Sequence, residues 1–229
     1  MHKGVTIGHQ KNFDLTAAIL VYGEFATLHD AVLLEGGAPQ LGPAKPVSFE
    51  FLTKLSEQLS GKEKREFLGG NVLCRTKDTL VWWSQPSVRT MYWRHEGGAL
   101  NALRFPQPAL VWKVVGQGLF VRALKKPVRP QESTVMSVAP YWNTDGQDGR
   151  VCLGSMRVPK QLSVQSMGGW EEAYFASEFT HVTGGTALTT RPSKGGLIRM
   201  WTGLAGKKQF PTSRLAPTKQ TLLSFIGGA

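Results

Sequence analysis

The sequence predicts an α+β fold, an antiparallel meander flanked by helices and preceded by a β-rich N-terminal extension. Three observations carry that prediction. Residues 109–115 and 119–123 are apolar, β-branched runs separated by Gly116-Gln117-Gly118, a hairpin signature. Phe49, Leu52, Leu55 and Leu59 recur at helical spacing. Between the N-terminal strand-forming runs and that helix lies a stretch with Gly36-Gly37, Pro39, Pro43 and Pro46, which breaks regular structure.

Taken in order, residues 15–22 and 25–34 are rich in strand formers and can turn at Gly23-Glu24, which predicts a hairpin. Residues 36–46 are expected to form a linker, so that 1–46 is an appendage and 47–229 the main domain. Ser48 is placed to cap the helix that follows and Gly61 to end it. Strands are expected at 80–83, 90–93, 109–115, 119–123 and 134–138. The stretch 140–159 has the composition of an irregular loop, and loops of that length inside compact domains are usually functional. Residues 170–179 predict a helix with Tyr174 and Phe175 on its apolar face, and 197–201 a short strand. Trp170 is expected in the core.

Composition narrows the function. With 41% hydrophobic and 19% charged residues, the 229-residue chain suits a packed soluble domain and not a disordered one. No apolar run approaches the ~20 residues needed to span a bilayer, nor does the N-terminus carry a secretory signal pattern, so no membrane association is expected and the cytoplasm is the expected location. The net charge of +11 is concentrated in two acid-free stretches. One holds Arg104, Lys113, Arg122, Lys125, Lys126 and Arg129, and the other runs beyond Glu178. Such charge attracts nucleic acid or an acidic protein, but no helix-turn-helix, RNA-recognition or zinc-finger pattern accompanies it, and the nucleic-acid reading is not favoured.

The two cysteines, Cys74 and Cys152, show no zinc-ligand spacing. Cys74 lies in Asn71-Val72-Leu73-Cys74, a strand-like apolar context that predicts a core thiol. Cys152 instead follows the polar, Gly-punctuated run Asn143-Thr144-Asp145-Gly146-Gln147-Asp148-Gly149-Arg150-Val151 and precedes Leu153-Gly154-Ser155. That setting leaves a thiol accessible on irregular backbone.

Here the chain resembles the prokaryotic branch of the ubiquitin-conjugating-enzyme superfamily. The resemblance is strongest over 108–180. Two hairpin strands, the proline turn Pro127-Val128-Arg129-Pro130, a further strand, Ala139-Pro140 and Cys152-Leu153 stand in the family's order, with Ala139-Pro140 where the family has His-Pro. The family's histidine is thus Ala139, and Tyr141 stands where its asparagine follows the proline. Asn143 is the shifted substitute that the resemblance allows, although Asn143-Thr144-Asp145-Gly146 equally suits a local turn. The resemblance implies a ubiquitin-conjugating-enzyme-like fold and Cys152 as acyl-carrying nucleophile. It also implies partners of three kinds: a ThiF-like activating protein, a ubiquitin-like protein and a JAB-type peptidase. It implies no metal or organic cofactor.

The chemistry so implied is acyl transfer through a thioester, for which an ordinary thiol of pKa ~8.5 needs no strong base to load. His181, after the predicted helix, is a chemically allowed general base. Tyr141, Trp142 and Leu153, flanking the loop, are the expected partner contacts, the two aromatics as exposed anchors. Two rivals stay open: an inactive scaffold that only binds a ubiquitin-like partner, and a basic nucleic-acid-associated protein. The contrast between the two thiols is directly measurable: a thiol reagent should label Cys152 quickly and Cys74 slowly, and the reverse order overturns the assignment.

Overall fold

A computed structural model of the chain describes residues 5–6, 12–13, 15–23, 25–32, 39–60, 66–94, 102–181, 188–190 and 196–227. Met1–Arg65 and Glu66–Ala229 form two compact units.

In the first unit, short strands β1 (Val5–Thr6) and β2 (Asn12–Phe13) pair with each other. Strands β3 (Ala17–Tyr22) and β4 (Phe25–Val32) form the expected hairpin, with Tyr22 opposite Phe25 and Gly23 at φ +58° in the turn. The left-handed turn conformation suits a residue without a Cβ. The expected linker is not all linker: β5 (Gln40–Leu41) and β6 (Lys45–Pro46) both pair with β4. Prolines are tolerated in such short edge segments. Residues 36–38 of that stretch lie outside the described residues. Helix α1 (Phe49–Ser60) starts as predicted, with Ser48 Oγ accepting the Phe51 N–H at 3.1 Å.

The second unit is built on a six-stranded sheet. Its strands are β7 (Val72–Arg75), β8 (Thr79–Ser84), β11 (Ala109–Val115), β12 (Gly118–Leu124), β13 (Val135–Val138) and β15 (Pro217–Thr221). They lie in the spatial order β15-β13-β12-β11-β8-β7, and the pairs are antiparallel. The central hairpin is β11–β12, as the sequence predicts, turning at Gly116 with φ +57°. A second sheet combines β9 (Ser87–Trp93) with antiparallel β10 (Leu103–Gln107) and parallel β14 (Glu178–Phe179).

Both faces of the large sheet are covered, which explains why β11 is a nearly unbroken apolar run. On one face Trp82, Leu110, Trp112, Leu119 and Val121 pack with Trp170, Tyr174 and Phe175 of α2 (Met167–Phe175) and Leu197, Trp201 and Leu204 of α3 (Gly196–Leu204). Trp82 and Trp112 stack at 6.1 Å. On the other face Val81, Trp83, Ala109, Val111 and Met136 pack with Leu222 and Phe225 of α4 (Leu222–Gly227).

The structure corrects two elements. Residues 197–201 are helical in α3, because Leu197, Trp201 and Leu204 recur at the helical interval and all three are buried. The helix expected at 170–179 ends at Phe175; the Ala176 N–H caps it on Glu172 O, and Glu178–Phe179 then joins the sheet beside β9. The expected picture of a basic surface is also corrected at two positions: Lys113 and Arg122, on β11 and β12, are buried.

Lys113 Nζ donates to the Phe225 carbonyl at 2.5 Å and stands over the rings of Phe120 and Phe225. Burial pushes its pKa below the ordinary lysine value of 10.5, against the opposing pull of Asp148. The folded protein therefore binds this proton more weakly than the unfolded chain, and stability rises with pH while the unfolded lysine is still charged. Urea unfolding of wild type and Lys113→Met should show their difference moving in favour of wild type as pH approaches 10.5; a pH-independent difference would show that Lys113 carries no such penalty.

Candidate active site

Cys152 sits at the end of a narrow hairpin made by residues 143–152. Asn143 opens it in the left-handed conformation, φ +58°, which asparagine tolerates better than most residues. The Cys152 N–H donates to Asn143 O at 2.7 Å, Thr144 bridges Val151, and the Asp145 N–H donates to Arg150 O at 2.8 Å. At the tip, Asp145 and Asp148 accept the N–H groups of Gln147 and Arg150 on their own side chains, at 2.6 and 2.8 Å. These are the Asx turns that an Asp/Gly-rich run favours.

The hairpin is fastened to β12. Val151 N–H donates to Leu119 O and Gly149 O accepts from Val121 N–H, both at 2.8 Å. Gly149 has φ +83°, and a Cβ there would lie 2.6 Å from Val121 O. Beneath the tip, the Arg122 guanidinium donates from Nη1 to Gly146 O at 2.9 Å, from Nη2 to Gln147 O, and from Nε to Gln220 Oε1 at 2.8 Å. Burial disfavours its charge; the carboxylates of Asp148 and Asp145 offset part of that cost. On the inner side, buried Thr144 shares a 2.9 Å hydrogen bond with Tyr174 OH.

A third segment closes the site. Asn143 Nδ2 donates to Glu178 O at 2.7 Å, while its Oδ1 accepts from Thr180 N, Thr180 Oγ1 and His181 N. The Asn143 N–H donates to His181 O at 2.8 Å. The Thr180 hydroxyl, which donates to Asn143 Oδ1 at 3.0 Å, also lies 2.8 Å from His181 Nδ1.

Cys152 is thus exposed, with its backbone N–H hydrogen-bonded to Asn143 O, and Cys74 is half-buried in β7. Next to the thiol lies an open cavity of about 710 Å³ lined by Gln117, Gly118, Asp145, Asp148, Arg150 and residues 151–153. Beyond the Leu153–Met156 turn, a second of about 590 Å³ runs between residues 155–159 and α2, bordered by Glu172 and Glu178. Among the described residues, no group of three or more His, Cys, Asp or Glu is arranged to hold a metal ion, and no helix is long and apolar enough to cross a membrane.

Cys152, Asn143 and His181 therefore meet through hydrogen bonds, Asn143 at the centre. Leu153 is half-buried against the core, and Trp142 is half-buried with its ring edge-on to Trp93 at 5.4 Å. Tyr141 is corrected: it is fully buried, stacked on Trp201 and Phe179, with its hydroxyl donating to Gln107 Oε1 at 2.7 Å. Burial raises its pKa well above 10, so it stays a neutral core phenol and not an exposed anchor. Arg122, Gln220 and Gly149 were not singled out by the sequence reasoning. A lone arginine inside the apolar run Leu119-Phe120-Val121-Arg122-Ala123-Leu124 is a signal that could have pointed to the first; the other two have none.

A meander whose following loop presents one exposed cysteine, backed by a helix, is consistent with a ubiquitin-conjugating-enzyme-like (E2-like) fold. The profile of Prokaryotic E2 family D matches residues 49–218, and the chain belongs to that family. Comparison with curated proteins and with solved structures finds no match. Family membership implies a role related to ubiquitin conjugation.

Gly149 makes the hairpin's attachment testable. Gly149→Ala meets both a left-handed backbone, strained by about 1–3 kcal/mol for a non-glycine residue, and the Val121 carbonyl. Equilibrium unfolding should show a loss of at least that size, together with faster amide exchange at Val151 and Cys152; wild-type behaviour would mean that the close approach is not real.

Proposed function

We propose that this protein accepts a ubiquitin-like protein as a thioester on Cys152 from a ThiF-like activating protein, within a bacterial ubiquitin-like protein conjugation cassette. Residues 1–46 are an appendage to this activity. The proline turn, Ala139-Pro140 and Cys152-Leu153 resemble in particular the B protein of the PRTRC system, a ParB- and ThiF-related cassette, which adds a JAB-type peptidase to the partners. The observation that carries the reading is the exposed Cys152 thiol at a groove, on a hairpin whose backbone is fixed at both ends.

In loading, the Cys152 thiolate attacks the carbonyl carbon of the modifier's activated C-terminus. A C–S bond forms, and the activating protein's leaving group departs with the electron pair of the broken bond. In discharge, an amine attacks the same carbon, loses its proton, and Cys152 leaves as thiolate. Asp145 and Asp148 place two carboxylates, beside Arg150, at the groove next to the thiol; they can hold an acceptor amine as its ammonium, which gives up a proton before its lone pair attacks. His181, held on the Asn143 side of the loop, offers a ring nitrogen that can accept the amine's proton. Asn143 acts by holding Cys152 and His181 together, since both polar atoms of its side chain are already engaged.

That engagement, with Ala139 buried where the family has histidine, also favours a second reading, a scaffold that binds a ubiquitin-like partner without accepting it. One reconstitution separates the two. With a ThiF-like activating protein, ATP and the cognate ubiquitin-like protein, wild type and Cys74→Ala should form a reductant-sensitive adduct. Cys152→Ala should form none, and Cys152→Ser a weaker, reductant-resistant adduct that alkali cleaves. A normal adduct in Cys152→Ala refutes the nucleophile. No adduct in any variant, with active partners and binding unchanged in Cys152→Ala, selects the scaffold.

A further inference from the structure

We infer that Arg122 and Gln220 are positioning residues for the Cys152 hairpin, so that the C-terminal strand β15 governs the geometry of a thiol some seventy residues before it. The relevance of this device to acyl transfer rests on the carrier reading above; its physical basis does not.

Arg122 has no exposed surface. Its two Nη atoms both donate to carbonyls at the hairpin tip, of Gly146 and Gln147, and its Nε donates to Gln220 on β15. A guanidinium is planar, so fixing Nε on one partner fixes the direction of the whole fork. Gln220 is itself held, its N–H donating to Thr218 Oγ1 at 3.1 Å, and Thr218 Oγ1 donates in turn to Met136 O on β13 at 2.8 Å. β15 thus sets the guanidinium plane, the guanidinium sets the tip, and the tip hands the constraint along the hairpin ladder to Val151 and Cys152. At Gly149 an added Cβ would lie 3.3 Å from Arg122 Nε and 3.4 Å from its Cδ, so the hairpin runs close over the arginine. Gln220 lies beyond residue 218, where the family match ends.

The test uses the full chain without partners, so it stands whether or not Cys152 carries a modifier. Gln220→Ala should raise amide exchange at Val151 and Cys152 roughly tenfold, the effect of losing one hydrogen bond to a charged group, while the Trp112 and Val114 amides of β11, which do not bond to the Cys152 hairpin, stay as in wild type. The pH profile of Cys152 alkylation should shift relative to wild type, with Cys74 as internal control. Gln220→Glu, which keeps an acceptor for Nε, should restore both readouts. Arg122→Lys, which cannot reach both carbonyls and Gln220 at once, should show the same changes at Cys152 as Gln220→Ala. Unchanged exchange and alkylation at Cys152 in Gln220→Ala, or an equal rise across all amides, would overturn the inference. Where modifier transfer can be assayed, a defect in Gln220→Ala rescued by Gln220→Glu ties this device to the reaction.

Discussion

A guanidinium removed from water must find its partners inside the protein, because an unpaired buried charge is strongly destabilising. Arg122 finds them on the Cys-bearing hairpin and on the last strand. The requirement dictates much around it: tip carbonyls turned inward, a glycine at 149 where side chain and backbone crowd, and two aspartates near enough to favour the charge. Each of those features is otherwise a costly choice beside an apolar sheet. Together they convert one buried cation into a clamp that joins strands 98 residues apart in sequence.

The clamp lies on a sheet that is rigid for a different reason. Burial of both faces of β8, β11 and β12 removes much apolar surface from water, and at roughly 25 cal/mol per Å² this dominates the stability of the unit. An exposed loop resting on such a sheet can be held firmly without being buried. Cys152 illustrates the result, its N–H paired to Asn143 and its side chain in solvent. Preorganisation of a nucleophile with free access is what the proposed acyl transfer demands.

Asn143 shows how family likeness and local chemistry diverge. In sequence it stands near the place of the family's asparagine; in the structure its amide is spent on the Glu178–His181 segment. The junction it makes brings His181 to the Cys152 loop, a proximity that the spacing of 29 residues between them does not suggest. Tyr141 diverges in the other direction. Flanked by Pro140 and Trp142 it has the look of a surface anchor, yet its hydroxyl finds Gln107 and its ring four aromatic neighbours. A phenol with a satisfied hydroxyl is as acceptable in a core as on a surface.

Sequence alone determined what depends on local order: the β3–β4 and β11–β12 hairpins from their turns, the start of α1 from Ser48, the polar loop that leaves Cys152 exposed, and the family through the ordered proline turn and Cys-Leu pair. It missed α3, since three buried positions at helical spacing compete with a short apolar run that also suits a strand, and it missed the break at Phe175, where pairing of Glu178–Phe179 beside β9 outweighs helix continuation. Only the tertiary structure decided which cations leave the surface, that Tyr141 is core, and that Asn143, Cys152 and His181 share one hydrogen-bonded junction with Arg122 and Gln220 beneath the same hairpin. Those outcomes depend on which long-range groups arrive to satisfy a buried donor or acceptor, and a polar residue's pattern in sequence carries no record of a partner tens of residues away.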